Sequence, residues 1–183
     1  AGSHGALAET LDQLLDGEVR FDEYTRTLYA TDASAYEVPP VGVVFPRHTE
    51  DVAAAVAHCH QAGVAVLPRG AGTSLAGQSV NEAVVLDFTT HMSRVRETNP
   101  QRREVRVQAG CRLGDLNTEL ADHDLKFAPD PAWGDKSVVG GAIGNNSTGA
   151  HSLQYGKTDA YIESVEVVVS DGSVREFGEM DIE

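Results

Sequence analysis

Pro68-Arg69-Gly70-Ala71-Gly72-Thr73-Ser74-Leu75-Ala76-Gly77-Gln78 lies between two apolar runs, Val64-Ala65-Val66-Leu67 and Ala83-Val84-Val85-Leu86. A stretch this rich in glycine, set between two buried strands, lets backbone N–H groups turn outward and approach a bulky anion closely. Thr73, Ser74 and Gln78 add side-chain donors, and Arg69 adds a positive charge. The composition reads as a pyrophosphate cradle.

Two other phosphate motifs come near it and fail. Gly72-x4-Gly77-Gln78-Ser79 has the spacing of a P-loop, but Gln78 stands where the lysine that reaches the terminal phosphates is required. The segment also runs on into a strand and not into a phosphate-capping helix. In the dinucleotide fingerprint G-x-G-x-x-G, Gly70 and Gly72 fit, but Leu75 occupies the third glycine position. Asp87 then reads as a strand-terminal turn residue and not as the ribose-binding acid of that fold.

Upstream, Val41 to Phe45 reads as a buried strand stopped by Pro46. Thr49 is placed to cap a helix carrying Glu50 and Asp51 at its positive end. That helix runs through Val52, Val56 and Cys59 to Gly63, a suitable residue just past a helix end. Strand, helix and the Val64–Leu67 strand make a compact right-handed βαβ unit. The glycine loop therefore leaves the carboxyl end of a strand, where such sheets bind ligands. Leu7, Leu11, Leu14 and Leu15 give Ala6 to Leu15 the spacing of an amphipathic helix ending near Gly17. Asp32-Ala33-Ser34 and Pro39-Pro40 mark an irregular connector.

Downstream, the pattern changes. Ser93 to Glu97 and Arg103 to Gln108 alternate apolar with charged residues, as strands with one wet face do, and Asn99-Pro100 turns between them. A boundary falls in Phe88–His91. Arg112 to His123 spaces Leu113, Leu116 and Leu120 for one helix face, with Asp115, Glu119 and Asp122 outward. Prolines make Phe127-Ala128-Pro129-Asp130-Pro131 rigid and extended, with Trp133 packing nearby. A second glycine-rich segment follows, Gly140-Gly141-Ala142-Ile143-Gly144-Asn145-Asn146-Ser147-Thr148-Gly149. Val138, Val139 and Ile143 at its heart distinguish it from a linker, so it reads as a ligand-facing loop. Tyr161 to Val169 and Val174 to Phe177 read as a hairpin turning at Asp171-Gly172. Glu179 to Glu183 carry no stop signal, so the chain reads as cut in mid-protein.

Composition bounds the partners. The 183 residues have a formal net charge of −14, with 28 acids against 14 basic residues, of which only Lys126, Lys136 and Lys157 are lysines. Such a surface repels nucleic acid and anionic membranes. It also marks a halophilic protein, because salt screens the repulsion among carboxylates. Cys59 and Cys111 form no disulfide framework, which fits a cytoplasmic setting. His58-Cys59-His60 reads as solvated histidines beside a buried thiol, since neighbouring helical residues diverge.

Taken together, Thr31 to Ser34, Gly42 to Pro46, Pro68 to Gln78, Ala128 to Pro131, Gly140 to Asn146, Tyr155 to Thr158 and Glu166 to Gly172 give a resemblance. The chain resembles the FAD-binding domain of FAD-linked oxidases and dehydrogenases, the vanillyl-alcohol-oxidase or PCMH-type superfamily. Within it, the likeness is to the branch that holds glycolate oxidase, D-lactate dehydrogenase and D-2-hydroxyglutarate dehydrogenase. The resemblance implies an α+β, two-lobed fold: an N-terminal helical extension (1–30), a small βαβ-containing lobe (31–90), and a mostly antiparallel lobe with helices (91–183).

It also implies a site. Pro68, Arg69, Gly70, Ala71, Gly72, Thr73, Ser74 and Leu75 would hold the FAD pyrophosphate, helped by Gln78. Pro129, Asp130, Gly140, Gly141, Gly144, Asn145, Asn146 and Gly149 would line the flavin and ribityl–adenosine path, and Ile162 would close its far wall. Relatives that bind FAD covalently use a histidine in the pyrophosphate loop; Thr73-Ser74 stands there, which implies non-covalent FAD. The substrate-binding cap would lie outside this chain, so no catalytic residue is assigned and the chain alone would be inactive. The implied whole is a 2-hydroxy-acid dehydrogenase with an electron-acceptor partner, which can associate with a membrane through that partner. Some members carry an iron–sulfur cluster in C-terminal parts. An alcohol or sugar oxidase of the same fold, or a flavin-free binding module, are the alternatives.

The charge gives a direct test. Moving from dilute buffer to molar salt should raise the thermal midpoint by several degrees in a calorimetric scan. A midpoint that stays flat or falls with salt would contradict the halophilic reading.

Overall fold

The computed structural model describes residues 2–178, so the expectation for Glu179 to Glu183 lies outside the described residues. The chain divides into two compact units. Unit 1 takes the residues up to Pro68, Ser74–Asp87, and those from Ile162 onward, while unit 2 takes Arg69–Thr73 and Phe88–Tyr161. The division thus differs from a simple split of 31–90 and 91–183. The terminal hairpin joins unit 1, and the first half of the glycine loop joins unit 2.

Unit 1 is built on a sheet of order β1-β2-β4-β3. Its strands are β1 (Glu18–Arg20), β2 (Gly42–Phe45), β3 (Val66–Arg69) and β4 (Val84–Asp87). β2 and β4 pair in parallel, Val43 opposite Val85 and Val44 opposite Leu86. These four side chains are at most 1% exposed. Central parallel strands are covered on both faces, so they read as continuous apolar runs and not as alternations. β4 lies between β2 and β3, so the βαβ unit skips one strand. β1 is too short to show a period in the sequence, and it pairs antiparallel with β2.

Helix α1 (Gly2–Leu14) starts earlier than its leucine pattern predicts. It buries Leu7, Leu11 and the following Leu15, spaced one turn apart, while Leu14 stays 54% exposed. Helix α2 (Glu23–Leu28) has no buried residue and forms on its cap: the Asp22 carboxylate accepts the Thr25 N–H at 2.9 Å. Helix α3 (Thr49–Gln61) buries Val52, Ala55 and Cys59. Its N-cap is His48 and not Thr49: the His48 ring accepts the Asp51 N–H at 3.3 Å. The Thr49 hydroxyl donates instead to Glu166 at 2.7 Å. Glu166 lies on β7 (Ser164–Val168), which pairs antiparallel with β8 (Val174–Gly178). Gly172, in the turn, sits against Ala53 and Ala57 of α3. A hydrogen bond to Asp16 raises the His48 pKa above the ordinary value. The attraction between His48 and Asp16 is therefore complete below the ordinary histidine range and fades as pH rises through the raised value, whereas the cap on Asp51 needs an unprotonated Nδ1.

Unit 2 pairs β5 (Val95–Asn99) antiparallel with β6 (Glu104–Val107). Helix α4 (Leu113–Ala121) lays Leu113, Leu116 and Leu120 into a core with Cys111 and Ala142, flanked by Val95, Val105, Val107, Leu125, Phe127 and Val139. Two expectations fail in this unit. Ala128-Pro129 forms a turn, and Asp130 adopts a left-handed conformation with φ 49°, so the proline stretch is not extended. Trp133 is 46% exposed, with the Lys136 ammonium 5.4 Å from its ring centre, so it is not a packing residue. Among the described residues no helix is long and apolar enough to cross a membrane.

Asp51 is the buried charge that holds the start of α3. It is 2% exposed and accepts the Asp16 N–H at 2.9 Å and the Arg47 N–H at 2.8 Å. Asp51→Ala strands both donors and should cost about 2–4 kcal/mol in denaturant unfolding, with Asp51→Asn milder because one acceptor oxygen remains. A loss below about 0.5 kcal/mol would show that these contacts carry no stability.

Candidate functional site

The first glycine-rich segment meets the residues just before the second one inside unit 2. β3 ends at Arg69, and its carbonyl accepts the Phe88 N–H at 3.2 Å. From there Gly70 presses against Val138: a Cβ on Gly70 would collide with Cγ2 of Val138. Thr73 Oγ1 lies 3.4 Å from the Ser137 hydroxyl. The Arg69 guanidinium folds back over its own loop, with Nη2 2.7 Å from where a Gly72 Cβ would stand. Gly72 has φ 66°, a conformation an L side chain resists.

Ser137 and Val138 are themselves fixed by the core. The Leu113 N–H donates to the Ser137 carbonyl at 2.9 Å, and the Val139 N–H to that of Cys111 at 2.9 Å. Val138 is 3% exposed. Burial first, then Asp115 and Glu119, raises the pKa of the Cys111 thiol, and burial alone pushes Cys59 up to about 11. Both cysteines are therefore packing residues and not reactive thiolates.

The second segment is only partly a loop: Val139–Gly144 forms one short helix, α5. The Gly140 N–H donates to the Ala109 carbonyl at 2.8 Å, and a Cβ on Gly140 would lie 2.9 Å from that of Ala109. Close approach is what puts glycine here. Gly144 faces open space and Gly141 meets only Val138 at 3.6 Å, so this part of the backbone is accessible. The asparagines serve the fold. Asn145 caps the helix by donating to the Gly141 carbonyl at 2.9 Å. Asn146, with φ 44°, donates to Asp159 at 2.9 Å and accepts its N–H at 3.1 Å.

Pro129 and Asp130 back Gly149. A Cβ on Gly149 would collide with the Asp130 carbonyl, and the Gly149 N–H donates to Ser152 Oγ at 2.9 Å. Pro129 is buried, so its side chain is packing material. Asp130 pairs with His151 at 3.0 Å and Lys126 at 3.5 Å.

The remaining predicted residues fall in unit 1. Pro68 and Gln78 are exposed, Leu75 is 72% exposed, and Ser74 donates its hydroxyl to Gln78 Oε1. Ile162 is half-buried and helps line a recess with Glu163, Val165, Phe177 and Gly178. Asp87 is no turn residue. It is 4% exposed and accepts the Tyr29 hydroxyl at 2.6 Å. Ser137, Val138, Ala109, Ser152 and the buried Thr158, which donates to the Ser147 carbonyl at 2.9 Å, were not legible as site builders. Val138 carried the one usable signal, an apolar residue directly before the Gly140 segment.

The FAD binding domain family matches residues 40–178, and the chain belongs to that family. The chain is 37% identical over 159 residues to the D-2-hydroxyglutarate dehydrogenase of Pseudomonas putida, covering 85% of this chain and 16% of that protein. It is 37% identical over 146 residues to the glycolate oxidase subunit GlcD of Escherichia coli K12, covering 79% of this chain and 29% of that protein. The chain thus spans less than a third of these relatives' length. An alkyldihydroxyacetonephosphate synthase structure superposes with TM-score 0.83 at 19% identity, over 96% of this chain and 35% of that one. The fold is the α+β, PCMH-type FAD-binding fold, and FAD is its cofactor. The residues present fit it: Gly70 leaves no room for a side chain, Gly141 and Gly144 leave main chain accessible, and Arg69 supplies a positive charge.

Gly70→Ala should cost unit 2 about 1–3 kcal/mol through overpacking. Val138→Ala in the same chain should recover part of that loss, giving a favourable coupling in a double-mutant cycle measured by denaturant unfolding. Strict additivity would show that the two residues do not touch.

Proposed function

We propose that the chain is the cofactor-holding part of a flavoenzyme that oxidises a small 2-hydroxy acid. One observation carries the cofactor half of this reading: the Arg69–Thr73 ribbon is seated on Ser137 and Val138 by contacts that only glycine at position 70 permits. The substrate half rests on the relatives, whose names give D-2-hydroxyglutarate and glycolate, both 2-hydroxy acids.

In this reading Arg69 neutralises part of the diphosphate charge, and the main chain of Gly70, Ala71 and Gly72 supplies N–H donors in place of a lysine field. Thr73 adds a hydroxyl donor, and Ser74, which gives its own hydroxyl proton to Gln78, stiffens the turn. Gly141 and Gly144 offer open backbone to the cofactor, Gly140 seats that backbone on Ala109, and Asn145, Asn146 and Asp130 hold it in shape. Bound FAD supplies the two-electron redox chemistry. The chain contributes binding, orientation and a surface that keeps bulk anions away. Groups that move a proton from the substrate hydroxyl belong to the whole protein, as does the electron acceptor. An iron–sulfur acceptor would draw its thiolates from elsewhere, since Cys59 and Cys111 are both buried in packing roles. The acidic, cysteine-poor composition supports a cytoplasmic setting.

Fluorescence titration of the chain with FAD should give saturable binding, and Arg69→Met should weaken it about tenfold or more. Acid precipitation should release intact FAD to the supernatant, because the Arg69–Gln78 loop holds no histidine, cysteine or tyrosine to bond it. In the full-length protein, anaerobic addition of glycolate, D-lactate or D-2-hydroxyglutarate should bleach the flavin, and a simple alcohol or sugar should not. Flavin retained in the pellet would overturn the non-covalent reading. Bleaching only by the alcohol or sugar would overturn the substrate class.

A further inference from the structure

The second half of the cofactor loop is held by a clasp from the connector that precedes β2. Residues 31–37 close on themselves. Thr31 and Glu37 form an antiparallel bridge, and the Val38 N–H donates to the Ala30 carbonyl at 2.8 Å. Inside this small ring the Asp32 carboxylate accepts the Ser34 N–H on one oxygen at 2.8 Å. Its other oxygen accepts both the hydroxyl of Ser79, at 2.9 Å, and the Ser79 N–H, at 3.4 Å. The Ser34 hydroxyl accepts the Tyr36 N–H at 3.1 Å, which directs Tyr36. Its ring covers Gly77, lying 2.7 Å from where a Cβ would stand, although Tyr36 is itself 60% exposed.

A carboxylate in the neighbourhood of a diphosphate loop is electrostatically unfavourable unless its charge is occupied. Here the Ser34 and Ser79 donors occupy it. Burial alone would raise the Asp32 pKa, but these hydrogen bonds outweigh it and the net shift is downward. The aromatic ring is equally unexplained by core packing. Both features make sense as grips on Gly77 to Ser79, immediately after the residues that would contact the cofactor. Resting on the FAD reading of that loop, we infer that Asp32 is a positioning residue. Through Ser79, and with Tyr36 lying over Gly77, it fixes the shape of Ser74–Gln78 for cofactor binding without touching the cofactor.

Two measurements on the chain separate this inference from the reading beneath it. Hydrogen exchange without FAD should show the amides of Gly77–Ser79 speeding about tenfold in Asp32→Asn and in Ser79→Ala, while those of Val43 and Val85 in β2 and β4 stay unchanged. FAD titration of the same variants should show affinity falling about tenfold. Ser79→Thr, which keeps the hydroxyl, should restore both. Should Asp32→Asn fail to fold, the Ser79→Ala and Ser79→Thr pair decides the matter alone. Unchanged exchange at Ser79 would remove the clasp. Faster exchange with unaltered FAD affinity would leave a clasp with no positioning role. A parent chain with no FAD affinity would sink the cofactor reading and the positioning role, and the exchange data would then report on the clasp alone.

Discussion

The seat of Gly70 on Val138 is the contact on which the site depends. It is an excluded-volume constraint, since one methyl group at position 70 would occupy the space of a valine side chain. Val138 cannot retreat, because Ser137 and Val139 are hydrogen-bonded to the start of α4 and α4 is locked into the leucine core. The Arg69–Thr73 ribbon is therefore positioned by the hydrophobic core of unit 2, one contact removed. Well-packed interiors transmit position this way because they have no slack to absorb a displacement.

That arrangement suits a protein with so much negative charge. At −14, a diphosphate ligand meets net repulsion at long range, and three lysines cannot offset it. Oriented backbone dipoles and one arginine act at short range, where screening is weakest. The polar residues around them are largely occupied by one another. Asn146 is paired with Asp159, and Asp130 with His151 and Lys126. These pairings hold the shape of the Gly140–Gly149 segment and its neighbours. Asp51, under α3, applies the same rule elsewhere: a buried charge is tolerated where backbone N–H groups surround it.

The elements that were legible in the sequence are those with a strong local signal. The β2 and β4 strands showed as unbroken apolar runs, the α4 leucines as a helical spacing, and the hairpin through its Asp171-Gly172 turn. What failed had a non-local cause. β1 is three residues long and exists only through its pairing with β2. Thr49 carried the chemistry of an N-cap, yet its hydroxyl found Glu166, distant in sequence, and His48 took the cap. Nothing local announced the partners of the two asparagines in the second segment, Gly141 and Asp159, which brace it through hydrogen bonds. Asp87 resembled a turn residue until Tyr29 was placed against it.

By itself, then, the sequence determined the fold class, the family and the presence of two glycine-rich ribbons suited to a flavin diphosphate, because composition and local spacing are written in consecutive residues. Only the tertiary structure decided that Gly70 of the first ribbon seats on Val138, just ahead of the second, that the Arg69 loop is divided between two units, and that the terminal hairpin belongs to the first of them. Those outcomes depend on which distant surfaces exclude each other's volume and satisfy each other's hydrogen bonds, and no local pattern encodes such a pairing.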